Sequence, residues 1–122
     1  MIQVQTYLNI ADNSGASTIM CINILGTHNP HYAKIGDKII AVIKSISKKS
    51  SVKKSDIVKA LVIRTRQKLI RSDGTIIHFP KNEAILLDKA NNPQGTRIFG
   101  PITKEIHLKN FYKISSLAQE II

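Results

Sequence analysis

Four histidines, one cysteine, eight carboxylates and eighteen Lys and Arg are the side chains with chemistry to offer in this 122-residue chain. The carboxylates are scattered, and no two share a motif that would pair a general acid with a base. His28 and His31 lie in one stretch, His78 and His107 lie far from it, and no Cys or paired acid stands beside them to complete a metal site. Ser14, within Asp12-Asn13-Ser14-Gly15, lacks the small-residue frame of a nucleophile elbow, so that tetrapeptide reads as a structural turn. Gly95 and Gly100 are too sparse and wrongly spaced to cradle a phosphate. Cys21 falls inside the apolar run Ile19-Met20-Cys21-Ile22 and reads as a buried thiol in a reducing compartment. The residues therefore predict no catalytic group, no cofactor and no metal.

The cations are different, because their distribution is extreme. Residues 34–71 hold 12 of the 18 Lys and Arg and only two acids, Asp37 and Asp56, a surplus equal to the formal net charge of the whole chain, +10. The first 33 residues carry no Lys or Arg, and Asp12 is their one charged side chain. A charge run is ordinarily a solvated face. One that concentrates the entire net charge in an otherwise neutral chain reads as an electrostatic footprint for a polyanion, nucleic acid first among them. Lys48, Lys49, Lys53 and Lys54 stand in a polar stretch where flexible ammonium groups can reach several phosphates, with Lys44 on the strand before it. Arg64, Arg66, Lys68 and Arg71 follow on and after the next strand, and period-two alternation predicts Arg64 and Arg66 on one face. Guanidinium forks on a stiff element suit bidentate phosphate contact. Aromatics are only 5% and form no stacking run, which favours recognition of folded RNA by shape and phosphate over base reading.

The elements that must position these cations are mostly strands. The chain is of single-domain size, 43% hydrophobic and rich in β-branched Ile and Val. Ile2, Val4, Thr6, Leu8 and Ile10 alternate with polar residues and predict one half-buried strand. Further strands are expected over Ile19–Leu25, Lys38–Ile46, Ile57–Thr65, Ile76–Phe79 and Ala84–Asp88. Asp73-Gly74 is a strong hairpin signal, and Ser45–Asp56 reads as a long basic connection of the kind that is often functional. Ile102, Ile106 and Leu108, then Phe111, Ile114 and Leu117, space like short helical turns over Thr103–Lys109 and Phe111–Leu117. Many short strands ending in helices predict a mainly β fold, a small closed barrel in one domain with a C-terminal helical segment over 102–118. Neither a signal peptide nor the ~20 apolar residues of a membrane span is present, so the expectation is a protein that works where it is made and engages no membrane.

From its first residues the chain resembles the universal family of large-subunit ribosomal protein fourteen. Met1-Ile2-Gln3-Val4-Gln5-Thr6-Tyr7-Leu8-Asn9-Ile10-Ala11-Asp12-Asn13-Ser14-Gly15-Ala16 looks like that family's N-terminus. The likeness continues through Tyr32-Ala33-Lys34-Ile35-Gly36-Asp37, Val62-Ile63-Arg64-Thr65, Arg71-Ser72-Asp73-Gly74-Thr75 and Gly95-Thr96-Arg97-Ile98-Phe99-Gly100-Pro101, and it ends in Ile114-Ser115-Ser116-Leu117-Ala118. The resemblance implies a five-stranded barrel with a protruding basic ribbon and short C-terminal helices. It also implies a non-catalytic protein that binds large-subunit rRNA beside neighbouring ribosomal proteins, on the face that meets the small subunit. By the same analogy Thr96, Arg97 and Ser116 lie on that face, where they can join an intersubunit bridge to small-subunit rRNA or receive a ribosome-silencing factor.

The chain departs from the family pattern at several positions. Ser17, Pro30, His31 and His78 stand where basic residues are usual, Glu83 where a small residue is typical, and Gln119 in place of a proline. The lost N-terminal charges shift the expected rRNA contacts toward residues 34–71. With 14 Lys to 4 Arg and an abundance of Ile and Asn, the coding bias is that of an AT-rich genome. A plastid-encoded protein of the chloroplast stroma is the leading expectation and an AT-rich bacterium the alternative. The competing functions are a free RNA-binding module or translation-associated factor and, with no motif behind it, an RNA-processing enzyme.

Overall fold

The computed structural model describes residues 2–25, 31–47, 52–108 and 112–122. In chain order the elements are β1 (Tyr7–Ile10), β2 (Ala16–Leu25), β3 (Lys38–Ile46), β4 (Ile57–Arg64), β5 (Leu69–Ile70), β6 (Ile76–Ile77), β7 (Glu83–Leu87), β8 (Pro101–Ile102), α1 (Lys104–Leu108), α2 (Tyr112–Leu117) and β9 (Glu120–Ile121). Strands β1, β2, β3, β4 and β7 close into a barrel in that order. Neighbours run antiparallel except at the seam, where Asn9 and Ile10 pair in parallel with Glu83 and Ala84. Closure removes the free strand edges that an open sheet would present.

Strands β4 and β7 explain their own composition. Ala60-Leu61-Val62-Ile63 and Ala84-Ile85-Leu86-Leu87 are continuous apolar runs because both faces of these strands are covered. Ala60, Val62, Ala84 and Leu86 point into the barrel with Leu8, Ile19, Cys21, Ile39, Ala41 and Ile43. Leu61, Ile63, Ile85 and Leu87 point outward, into a second cluster with Ile98, Ile102, Ile106 and Ile114 from the C-terminal segment. Alanines at positions 41, 60 and 84 suit the narrow bore of a five-stranded barrel. Each fully buried Ile or Leu in these clusters stabilises by about 1.5–3 kcal/mol relative to exposure, so the C-terminal helices are held by packing rather than by their own short length.

The N-terminal strand is shorter than its alternation predicts. Only Tyr7–Ile10 is strand, while Ile2 pairs with Ala33 in an isolated bridge and Val4 is 52% exposed. The cause is a turn. Gln5 adopts a left-handed φ of 74°, Thr6 N–H donates to the Gln3 carbonyl and Gln3 N–H to Thr6 Oγ1. That turn lets Ile2 and Leu8 both reach the core and leaves Val4 outside.

The Asp12 turn is structural, as its sequence suggests. Asp12 is buried; its Oδ1 accepts Ser14 N–H and Oγ–H, and its Oδ2 accepts Leu86 N–H at 3.0 Å, tying the turn to β7. Asp73-Gly74 forms the expected hairpin, with Gly74 at φ 90° between β5 and β6. The helices fall within the expected spans, although Lys109, Asn110 and Phe111 lie outside the described residues. The parallel β8–β9 pair was not expected. It is set by Ile122 N–H donating to the Ile102 carbonyl and Lys104 N–H to that of Ile122.

Candidate nucleic-acid interface

The long basic connection is anchored at both ends. Ser47 N–H donates to the Gly15 carbonyl, Ser55 N–H to that of Ile43, and Ile43 N–H to that of Asp56. Val52, the one apolar residue between Ser47 and Asp56, is buried in the barrel core. Lys53 and Lys54, beside it, are exposed, as is Lys44 on β3. Lys48 and Lys49 lie outside the described residues. Arg66 and Lys68, between β4 and β5, are exposed. The two acids of the basic segment are turned toward backbone: Asp37 Oδ2 accepts Lys34 N–H at 2.8 Å and Asp56 Oδ2 accepts Lys53 N–H at 3.2 Å.

Arg64 departs from the expectation. It does not share an exposed face with Arg66, because β4 ends at Arg64, which is 6% exposed, and the chain bends at Arg66. Its Nη1 donates to the Pro101 carbonyl at 3.1 Å and its Nη2 to that of Phe99 at 2.6 Å, while Nη2 meets Glu83 Oε2 at 2.5 Å. Glu83, unusual by the family pattern, is thus the counter-ion of a buried arginine. Gly100 lies between the two carbonyls at φ 83°, and a side chain there would run into the guanidinium. Arg64 clamps the C-terminal segment onto the barrel. It presents no fork to a phosphate.

Arg71 is also engaged. Its Nε and Nη2 donate to the two carboxylate oxygens of Glu105 and Nη2 to the Ile122 carbonyl, tying the β5–β6 hairpin to α1 and β9. Hydrogen bonding to Arg71 holds the Glu105 carboxyl below its ordinary pKa, and the same bond raises that of Arg71. With about a fifth of its side chain exposed, Arg71 still touches solvent.

Thr96 and Arg97 are exposed in a loop held by a residue the sequence reading did not single out. Asn13 Oδ1 accepts from Thr96 N–H at 2.8 Å and Arg97 N–H at 3.1 Å, and its Nδ2 donates to Thr96 Oγ1 at 2.7 Å. A Cβ on Gly95 would stand 2.7 Å from that same Oδ1, so glycine permits the approach. The Arg97 guanidinium lies 5.8 Å from the centroid of the Phe99 ring. Ser116, exposed on α2, donates to the Lys113 carbonyl. Ile98 and Ile114 belong to one buried cluster and carry the loop and the helix respectively. Replacing Asn13 by Ala should cost about 1–2 kcal/mol of local stability. Tryptic cleavage after Arg97 should then accelerate about ten-fold by local opening, whereas Asn13→Asp, which keeps the acceptor, should stay close to the parent rate.

Cys21 is fully buried and its Sγ–H points to the Asn23 carbonyl; burial pushes the thiol's pKa up, as befits an inert core residue. Among the described residues no group of three or more His, Cys, Asp or Glu is placed to hold a metal, and no helix is long and apolar enough to cross a membrane.

Barrel, clasp and cation-rich exterior define a class, the small basic β-barrel protein whose buried polar groups hold architecture together. The family described as ribosomal protein L14p/L23e matches residues 1–122. The large ribosomal subunit protein uL14c of Cuscuta obtusiflora is 52% identical over 122 residues, the full length of both chains. The chain belongs to the L14p/L23e family; it is a structural constituent of the large ribosomal subunit and not an enzyme.

Proposed function

We propose that the chain fixes the fold of large-subunit rRNA by neutralising phosphates with Lys44, Lys48, Lys49, Lys53, Lys54, Arg66 and Lys68, with Arg71 at the margin and Arg64 in a supporting, internal role. The observation that carries this reading is the disposition of charge within residues 34–71. Its exposed cations share the segment with two acids, and both acids cap backbone N–H groups. Thr96, Arg97 and Ser116 form a second face directed at the small subunit, where Arg97 meets small-subunit rRNA in a bridge and a ribosome-silencing factor can dock. Neighbouring large-subunit proteins share the remaining surface. The Lys-rich coding bias and the Cuscuta obtusiflora relative support ribosomes of the plastid stroma as the setting, over a bacterial cytoplasm.

Sucrose-gradient sedimentation of an organelle lysate across rising salt tests the assignment. Stoichiometric retention in the large-subunit peak at high salt is expected. Release into light fractions at modest salt would identify a free RNA-binding factor, because a purely electrostatic attachment weakens steeply with salt.

A further inference from the structure

The two ends of the basic segment meet at an open notch of about 230 Å³. Lys34 and Ile35 come from the turn before β3, and Thr65, Lys68, Leu69 and Ile70 from the chain running out of β4 into β5. Ile35 is buried and forms part of the outer core cluster, Leu69 packs against that cluster, and Ile70 is 71% exposed. The notch thus combines apolar Ile35, Leu69 and Ile70 with polar Thr65 and Gln67 and the exposed Lys34 and Lys68. Among the described residues no acid lines it; Asp37, close in sequence to Lys34, turns a carboxylate oxygen to Lys34 N–H. Its volume falls below the ~300 Å³ at which sites for drug-sized ligands begin, but it offers room for a single planar base.

We infer that this notch receives one unstacked nucleotide of the large-subunit rRNA, its base against Ile35, Leu69 and Ile70 and its flanking phosphates on Lys34 and Lys68. The inference rests on the rRNA-binding reading and deepens it by naming a nucleotide subsite within a footprint that otherwise reads phosphates alone. Three properties converge. An unstacked base can be held against aromatic or apolar side chains, with cations on its flanking phosphates. The rim residues belong to the same +10 segment whose exposed cations face the polyanion. The exposed Ile70, with Ile76 paired to it on β6 and also exposed, gives the hairpin an apolar surface that a base face would cover.

The test is ultraviolet crosslinking of intact large subunits followed by mass spectrometry, paired with chemical probing of the rRNA. Ribonucleotide adducts are expected on peptides containing residues 34–35 or 67–70. In subunits carrying Gln67→Trp, which plugs the notch from its half-exposed rim, one unpaired nucleotide should become several-fold more reactive. The contact Gln67 makes runs through its backbone carbonyl, which accepts from Thr65 Oγ1 at 3.3 Å and survives the substitution, so that variant should fold. As a second variant, Lys34→Gln with Lys68→Gln should reduce the salt slope of binding by about 1.5 units. Adducts on Lys44, Lys53 or Lys54 but none at the notch would overturn the subsite and leave rRNA binding standing. A crosslink from the notch to another protein would assign it to a peptide and overturn the inference as well. Absence of rRNA adducts anywhere on the chain would sink the binding reading itself.

Discussion

Replacing Arg64 by Met should lower the unfolding free energy by about 3 kcal/mol while leaving the salt dependence of rRNA binding unchanged. The side chain is nearly isosteric along its stem, so the loss is specific to the guanidinium. Removing it orphans the Phe99 and Pro101 carbonyls and leaves Glu83 without its partner. Breaking a buried pair by deleting one member costs about 3–5 kcal/mol. The lower figure applies because the Glu83 side chain is 23% exposed and water can solvate it once the arginine is gone. The buried Nε, which has no hydrogen-bond partner among the described residues, already carries a desolvation cost that the substitution removes. Thermal melting should therefore fall by roughly 10 °C, taking about 4 °C per kcal/mol for a chain of this size. Arg66→Met is the control. It is exposed two residues past the end of β4, so its melting point should barely move while its salt slope drops by about 0.7–0.9 if it meets a phosphate. Should Arg64→Met lower the slope and spare the melting point, the internal clamp would be the wrong account.

Arg64 also shows why part of the site escaped the sequence. Strand alternation put Arg64 and Arg66 on one face, and alternation holds only while the strand continues. β4 ends at the first arginine, which is buried, and the chain bends at the second, which is exposed. The signal that could have revealed it was Glu83, an acid out of keeping with the family pattern, together with a glycine at position 100 flanked by two residues whose carbonyls needed partners. Asn13 was legible only as a turn residue, because its partners Thr96 and Arg97 lie more than eighty positions away in sequence and nothing local points to them. The same limit hid the β8–β9 pair, a two-residue parallel ladder made of main-chain bonds. By contrast β3 was readable to the residue, since Ile39, Ala41 and Ile43 face the barrel interior while Lys38 and Lys44 stay toward solvent. The unbroken apolar runs of β4 and β7 announced strands, and only the structure shows that they divide residue by residue between two cores. The early alternation failed at Val4 for a local reason, the left-handed Gln5, which a pattern of apolar spacing does not register.

Changing Lys48, Lys49, Lys53 and Lys54 together to Ala should flatten the slope of log affinity against log salt by roughly 3 units, at about 0.7–0.9 per phosphate contact. To first order this lowers affinity by roughly two to three decades at physiological salt, the largest effect on binding that the chain offers. The fold should tolerate the change. Lys53 and Lys54 are exposed, and what fastens their segment to the barrel is Val52 in the core and main-chain bonds from Ser47, Ser55 and Ile43. None of these needs an ammonium group, so the melting point should stay within about 1 °C of the parent, in the range of ordinary surface substitutions. The capping of Lys53 N–H by Asp56 survives as well, because it uses backbone. Splitting the set sharpens the result. Lys53→Ala with Lys54→Ala should give about half of the change, since adjacent lysines on a fixed stem meet separate phosphates only if the RNA backbone runs along the segment. A full loss from that pair alone would place the contact at the anchored end of the connection, whereas an unchanged slope in the quadruple variant would make the segment a solvated face and move the footprint to Lys44, Arg66 and Lys68.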